Sequence, residues 1–136
     1  MASLIEAIRE FGPHLELKST IPMKLVTTWI ELRTGMARSM AMMWASLLGE
    51  ALQYHLAQGC PVKLDGIGTF SLTISREGKI KINFRPDPDL VKALNVEGGY
   101  TGVINNRRRI GLDDPGYKKL WDAHYPDNPL KINSKK

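Results

Sequence analysis

Cysteine is nearly absent: Cys60 is the only one in 136 residues. A single thiol cannot staple the chain to itself, and no second cysteine exists for a zinc or redox pair, so a reducing, cytoplasmic compartment is expected. Beside Pro61 it reads as a packed thiol rather than a nucleophile. The start of the chain has neither a basic n-region nor a long apolar h-region, which argues against a secretory leader. The apolar stretch at residues 40–48 falls far short of the ~20 residues a membrane span requires, so a soluble protein without membrane contact is expected. Histidine is scarce too, three in all. None shares a spacing with acids or a nucleophile, and His14 and His55 read as ordinary structural or surface residues. No catalytic constellation emerges. The chain is therefore read as a non-enzyme, with no metal, no cofactor and no small-molecule substrate. Repeats and low-complexity segments are also missing.

What is present is a 43% hydrophobic fraction, enough for a packed core, in a length that suits one domain with appended segments. Charge is lopsided. The net charge is +5, yet the first 60 residues balance five bases against five acids, so the whole excess lies in residues 61–136, where 14 bases face 9 acids. Such asymmetry with a pI near 9.4 points to a polyanionic partner. A basic but merely solvated surface is the plainer alternative.

Hydrophobic spacing predicts a helix over residues 3–11, with Ser3 as cap, a stripe of Leu4, Ile5, Ile8 and Phe11, and a stop at Gly12-Pro13. Residues 14–21 read as a connector, partly extended. Proline suits a first helical turn, so Pro22 opens a second helix that Thr34-Gly35 interrupts. A third helix spans about residues 36–58 and is greasy on almost every side, which demands cover on more than one face and suggests a dimer. Its methionines read as adaptable packing, not as a metal box. A short strand follows at residues 62–65. The "GIG" at 66–68 precedes a strand, whereas a phosphate-binding glycine loop needs a helix there, so it reads as a tight turn. After the "RPDP" at 85–88, Asp87 or Asp89 caps a helix ending at Asn95, with Leu90, Val91 and Leu94 turned inward. Gly98-Gly99 looks like a hinge. Asp113-Asp114-Pro115 starts a helix to His124 whose stripe is Tyr117, Leu120, Trp121 and His124, and the end at Ser134-Lys135-Lys136 is expected to fray.

The most informative stretch is "GTFSLTISREGKIKINFR", residues 68–85. Strand side chains alternate between faces, so Phe70, Leu72, Ile74, Ile80, Ile82 and Phe84 make a core face. The other face receives Thr69, Ser71, Thr73 and Ser75, then Lys79, Lys81, Asn83 and Arg85.

"VKLDGIGTFSLTI", "FRPDPDLVKALN" and "ELRTG" at 31–35 resemble the HU and integration host factor family of bacterial architectural DNA-binding proteins, over about residues 23–95. The pair "GIGTF" and "FRP" is its most specific element, while the helices match in pattern only. The resemblance implies an α+β fold: two helices, a three-stranded antiparallel sheet and a short C-terminal helix in an intertwined homodimer, with duplex DNA on a saddle of strands. It divides the chain into an N-terminal extension (1–22), an HU-like domain (23–96) and a basic C-terminal extension (97–136) holding a helix at 114–124. It assigns Lys63, Thr69, Ser71, Thr73, Arg76, Lys79, Lys81 and Arg85 to DNA, with Arg107, Arg108 and Arg109 of the tail added. Met40, Met43, Trp44, Leu47, Ile67, Phe70 and Phe84 fall in the dimer core. The implied setting is a bacterial nucleoid, or a phage. One departure stands out. The family usually carries a long basic arm between the second and third strands, tipped by a wedging proline, and here "SREG" at 75–78 closes the hairpin at once.

Two other readings stay open. Lysines on short strands also prevent edge-to-edge aggregation, and Arg107 to Arg109 also suit a solvated turn. The rival function is an HU-fold module for protein assembly, a phage or scaffold component without direct DNA binding, motivated by the Tyr117/Leu120/Trp121 stripe.

Overall fold

The structure, a computed structural model, describes residues 2–132. It is a mixed α+β chain with two small antiparallel sheets. The fraying expected at Ser134 to Lys136 lies outside the described residues. The chain divides into two compact units, one built from both ends (up to Lys18 and from Thr101), the other from Ser19–Tyr100. The two extensions read as separate from the sequence are therefore halves of one unit.

In this terminal unit, helix α1 (Leu4–Phe11) starts on a capping box. The Ser3 hydroxyl accepts from the Glu6 N–H at 3.4 Å, and the Glu6 carboxylate accepts the Ser3 N–H at 2.6 Å. The Ser3 N–H first, and then the Ser3 hydroxyl donating to the same carboxylate at 3.0 Å, hold the Glu6 carboxyl below its usual range. At the other end the chain turns away at Gly12, where a methyl group would meet the Ile8 carbonyl and the Tyr117 hydroxyl. Strand β1 (His14–Leu15) pairs with β5 (Ile104–Asn105), His14 opposite Asn105. Helix α5 (Asp114–His124) begins where the Asp113 side chain accepts from the Gly116 N–H at 2.9 Å, and it spans the residues expected of it. Ala2, Ala7, Phe11, Tyr117, Trp121 and Leu130 form its core, with Phe11 edge-on to Trp121 at 6.2 Å. Trp121 Nε1 donates to the Asn128 carbonyl at 2.8 Å, so the buried indole leaves no unpaired donor. Ile5, placed in the stripe by spacing, is 64% exposed, because α1 has one helical neighbour and turns Leu4, Ala7 and Phe11 toward it.

In the Ser19–Tyr100 unit, α2 (Met23–Thr34) ends at Gly35, whose left-handed φ of 71° lets its N–H reach the Glu31 carbonyl at 2.8 Å. Helix α3 (Arg38–Ala57) delivers the chain to β2 (Val62–Leu64), β3 (Gly68–Ile74) and β4 (Ile80–Pro86), a meander in that order. Gly68 is where the turn tightens: a methyl there would strike the Phe84 ring and the Arg85 carbonyl. Helix α4 (Pro88–Asn95) follows at once, capped by Asp87, which accepts from the Asp89 N–H at 2.8 Å. Its Leu90, Val91 and Leu94, expected to turn inward, are exposed. An apolar triplet at helical spacing tells which side wants cover, not which chain supplies it.

Burial differs sharply between the units. The one cluster of buried hydrophobic side chains among the described residues belongs to the terminal unit. Within Ser19–Tyr100 the buried residues are Thr27, Ala41, Leu56 and Gly68, none of them large except Leu56. Helix α3 explains the contrast. One side, with Ala41, Ala45, Leu48, Leu52 and Leu56, is buried or half-buried. The opposite side carries Met40, Met43, Leu47 and Tyr54, all exposed, and Trp44, on the flank between the two sides, is 60% exposed.

Candidate nucleic-acid interface

The β3–β4 ladder puts Thr69 opposite Arg85, Ser71 opposite Asn83 and Thr73 opposite Lys81, while β2 adds Lys63 opposite Thr69. Because side chains of paired residues leave a sheet on the same side, these seven share one face. Its middle column, on β3, is hydroxyls. Its flanking columns carry Lys63 on one side and Lys81 and Arg85 on the other. No carboxylate stands among these ladder residues. The charged side chains are exposed, whereas Thr69, Ser71 and Asn83 are half-buried among their neighbours. Asn83 Nδ2 donates to Thr73 Oγ1 at 3.2 Å, fixing both side chains.

The opposite face holds Phe70 against Phe84, rings 4.8 Å apart, and pairs Leu72 with Ile82 and Ile74 with Ile80. Between this face and α3 lies an open cleft of about 600 Å³ lined by Leu52, Leu56, Phe70, Leu72, Ile80 and Ile82. Ile67 and Phe84, assigned to a dimer core with Phe70, are exposed within the single chain.

At the hairpin end, the Ser75 N–H donates to the Lys79 carbonyl at 2.9 Å and the Lys79 N–H to Ser75 Oγ at 3.2 Å. Gly78, with φ 82°, completes the turn by donating to the Ser75 carbonyl. Arg76 and Glu77 are left at the tip, both exposed. Lys79 is also exposed, two residues before Lys81.

The tail arginines separate into two kinds. Arg107 and Arg108, in a 3-10 turn (Arg107–Arg109), are exposed. Arg109 turns into its own unit: Nη1 donates to the Phe11 carbonyl at 3.0 Å, and the guanidinium lies 5.2 Å from the Phe11 ring centre. Beside it Asn106, with φ 55°, donates from Nδ2 to the Gly12 carbonyl at 3.1 Å. Together these side chains satisfy carbonyls at the end of α1 that the helix leaves free. The role of Asn106 had no signal in sequence, since its partner is 94 residues away.

No group of three or more His, Cys, Asp or Glu side chains is placed to hold a metal ion among the described residues. Nor is any helix among them long and apolar enough to cross a membrane. Known family models and curated proteins offer no match to this chain.

Proposed function

We propose that the Ser19–Tyr100 unit is an HU-like module that works as an intertwined homodimer and binds double-stranded DNA through its backbone, with little sequence preference. The observation that carries this reading is the sheet face on which Lys63, Lys81 and Arg85 flank the Thr69, Ser71 and Thr73 hydroxyls. Cations displace condensed counterions from phosphates, while short hydroxyls donate to phosphate oxygens and fix the register. Neighbouring strands are about 4.8 Å apart and alternate residues about 7 Å, so the charges repeat on the scale of successive phosphates. The dimer is supported by the apolar surface that one chain leaves open: Met40, Met43, Trp44 and Leu47 on α3 and the cleft beneath the sheet. A second copy is the natural cover for apolar area of this extent.

The stripe that motivates the assembly reading is packed in part within its own unit, where Tyr117 and Trp121 are 6% and 7% exposed. Arg107 and Arg108 remain as tail contributors to DNA affinity, and Arg109 is taken up by Phe11.

Binding to a random-sequence duplex across a salt series tests the reading. Four cations per copy (Lys63, Lys79, Lys81 and Arg85) give a slope of log K on log salt approaching −7 if each meets one phosphate, from ~0.9 per contact. Lys79→Gln with Lys81→Gln should weaken all sequences alike and flatten that slope. An unchanged slope would mean that these lysines only guard the sheet.

A further inference from the structure

We infer that the segments flanking Ser19–Tyr100 form a clasp: by joining into the terminal unit they close the module between them into a loop and hold it folded. Closure of the loop acts on the fold of the module, apart from what its polar face binds. The terminal unit is assembled from residues up to Lys18 and from Thr101 onward. Its core is shared evenly, with Ala2, Ala7 and Phe11 from one segment and Tyr117, Trp121 and Leu130 from the other. Neither segment completes that core without its counterpart. Helix α1, eight residues long, is below the ~12–15 at which an isolated helix is even marginal in water.

The ties between the two segments run right up to the module. Strands β1 and β5 pair Leu15 with Ile104, and the Glu16 N–H donates to the Val103 carbonyl at 3.0 Å. Lys18 and Thr101, where the chain passes into and out of the module, each lie two residues from that last rung. Behind it Asn106 donates to the Gly12 carbonyl, Arg109 to the Phe11 carbonyl and Tyr125 to Glu10. At the far end the Lys131 N–H donates to the Ala2 carbonyl at 3.4 Å. Each of these bonds joins a residue before Ser19 to one after Tyr100. A unit appended for a purpose of its own could be built from one flank; this one spans both.

A closed loop changes the energetics of what it encloses. When the module opens while the clasp stays shut, residues 19–100 are confined to a loop and gain less conformational freedom than an untied chain. Opening is therefore less favourable. The coupling is reciprocal: the folded module keeps the two segments close, which raises the effective concentration of each for the other. Ser19–Tyr100 is the unit with most to gain, since within a single chain its buried residues are Thr27, Ala41, Leu56 and Gly68. With Cys60 as the one cysteine, no disulfide within the chain can close the loop instead.

The test breaks the clasp in the full chain and then closes it again at a different point. Phe11→Ala with Trp121→Ala removes both rings of the clasp core. Leu15→Cys with Ile104→Cys then adds a disulfide to that variant, with Cys60→Ser so that no other thiol competes. Directly opposed residues of an antiparallel pair have Cα atoms about 4.5–5.5 Å apart, within the reach of a disulfide. Hydrogen exchange of the β3–β4 ladder amides reads the module, and the Glu16 amide reads the clasp. Ladder protection should fall at least about ten-fold in the double alanine variant. It should return to within about three-fold of the parent when the disulfide forms, and fall again on reduction. Ladder protection that stays at the parent level while the Glu16 amide exchanges freely overturns the clasp, because the module then folds without regard to its flanks. A fall that the disulfide does not reverse overturns it as well, because the module then depends on the terminal core itself and not on the closed loop.

Discussion

Arg109 donates to the carbonyl of Phe11 at 3.0 Å and covers the same residue's ring. A run of three arginines is thus divided by the fold, one holding helix α1 and two facing solvent. Arg109→Ala should destabilise the terminal unit by about 2 kcal/mol, the sum expected for a charge-assisted hydrogen bond and a partly exposed cation–π contact. Arg107→Gln with Arg108→Gln should leave thermal stability within about 0.5 kcal/mol of the parent, as surface changes do. The pair should instead lower the salt slope of DNA binding. Thermal melts and a salt titration on the same proteins separate the two roles.

The core that Phe11 shares with Tyr117, Trp121 and Leu130 makes the terminal unit depend on both ends of the chain. Deleting residues 97–136 uncovers Phe11, and deleting residues 1–18 uncovers Trp121. Each single deletion should therefore expose apolar surface, aggregate more readily and, where Trp121 remains, red-shift its emission. A chain of residues 19–100 removes both halves together. It should behave better than either single deletion and keep a cooperative unfolding transition as a dimer. If the 1–96 chain proves as well behaved as the 19–100 chain, α1 does not depend on α5.

Local features were legible in sequence and distant ones were not. The Ser3 cap, the helix start at Asp113-Asp114-Pro115 and the 114–124 helix follow from residues close together in the chain, and the structure adds Glu6 as the partner of Ser3. The polar strand face was readable because a period of two assigns every side chain to a side once one side is apolar. Its cross-strand partners came from the short turn, which sets Thr69 against Arg85 and Thr73 against Lys81. By contrast, Phe11 and Arg109 are 98 residues apart, and nothing near either one announces the other. Leu90, Val91 and Leu94 show the complementary limit: spacing marks a surface for cover without saying whether the same chain covers it.

Acid should loosen the terminal unit at a defined place. The Asp122 carboxylate accepts from Lys118 Nζ at 2.8 Å and from the Leu130 N–H at 2.9 Å, and these bonds, Lys118 first, hold its carboxyl below the ordinary range. A depressed carboxyl contributes stability in full above its unfolded value, ~3.9, and loses it as pH falls through the lower folded value. The protection factor of the Leu130 amide against hydrogen exchange should therefore drop below about pH 4. Asp122→Asn should start from lower protection and show less of that acid limb. Tyr125 works with the opposite sign. Its hydroxyl donates to Glu10 at 2.5 Å, which raises its ionisation above the usual tyrosine value. That contribution is complete below ~10 and disappears as pH rises through the raised folded value, so Tyr125→Phe should blunt an alkaline transition.

Leu47 decides whether the open side of α3 is a surface or an interior. It lies opposite the buried Ala41 and Leu56 side of the helix and is 51% exposed in the single chain. If a second copy covers it, Leu47→Glu places an unpaired carboxylate in an apolar seam, which costs several kcal/mol unless the group neutralises. An intertwined dimer has no stable half to fall back on, so the cooperative unfolding of the Ser19–Tyr100 unit should disappear rather than shift. Ser46→Glu, on an exposed neighbour along the same helix, should change stability by no more than about 0.5 kcal/mol. Sedimentation at micromolar concentration, with circular dichroism melts of both variants, reads the outcome. A Leu47→Glu chain that sediments as a monomer and melts like the parent would show that α3 keeps this side in water, and the homodimer would have to be abandoned.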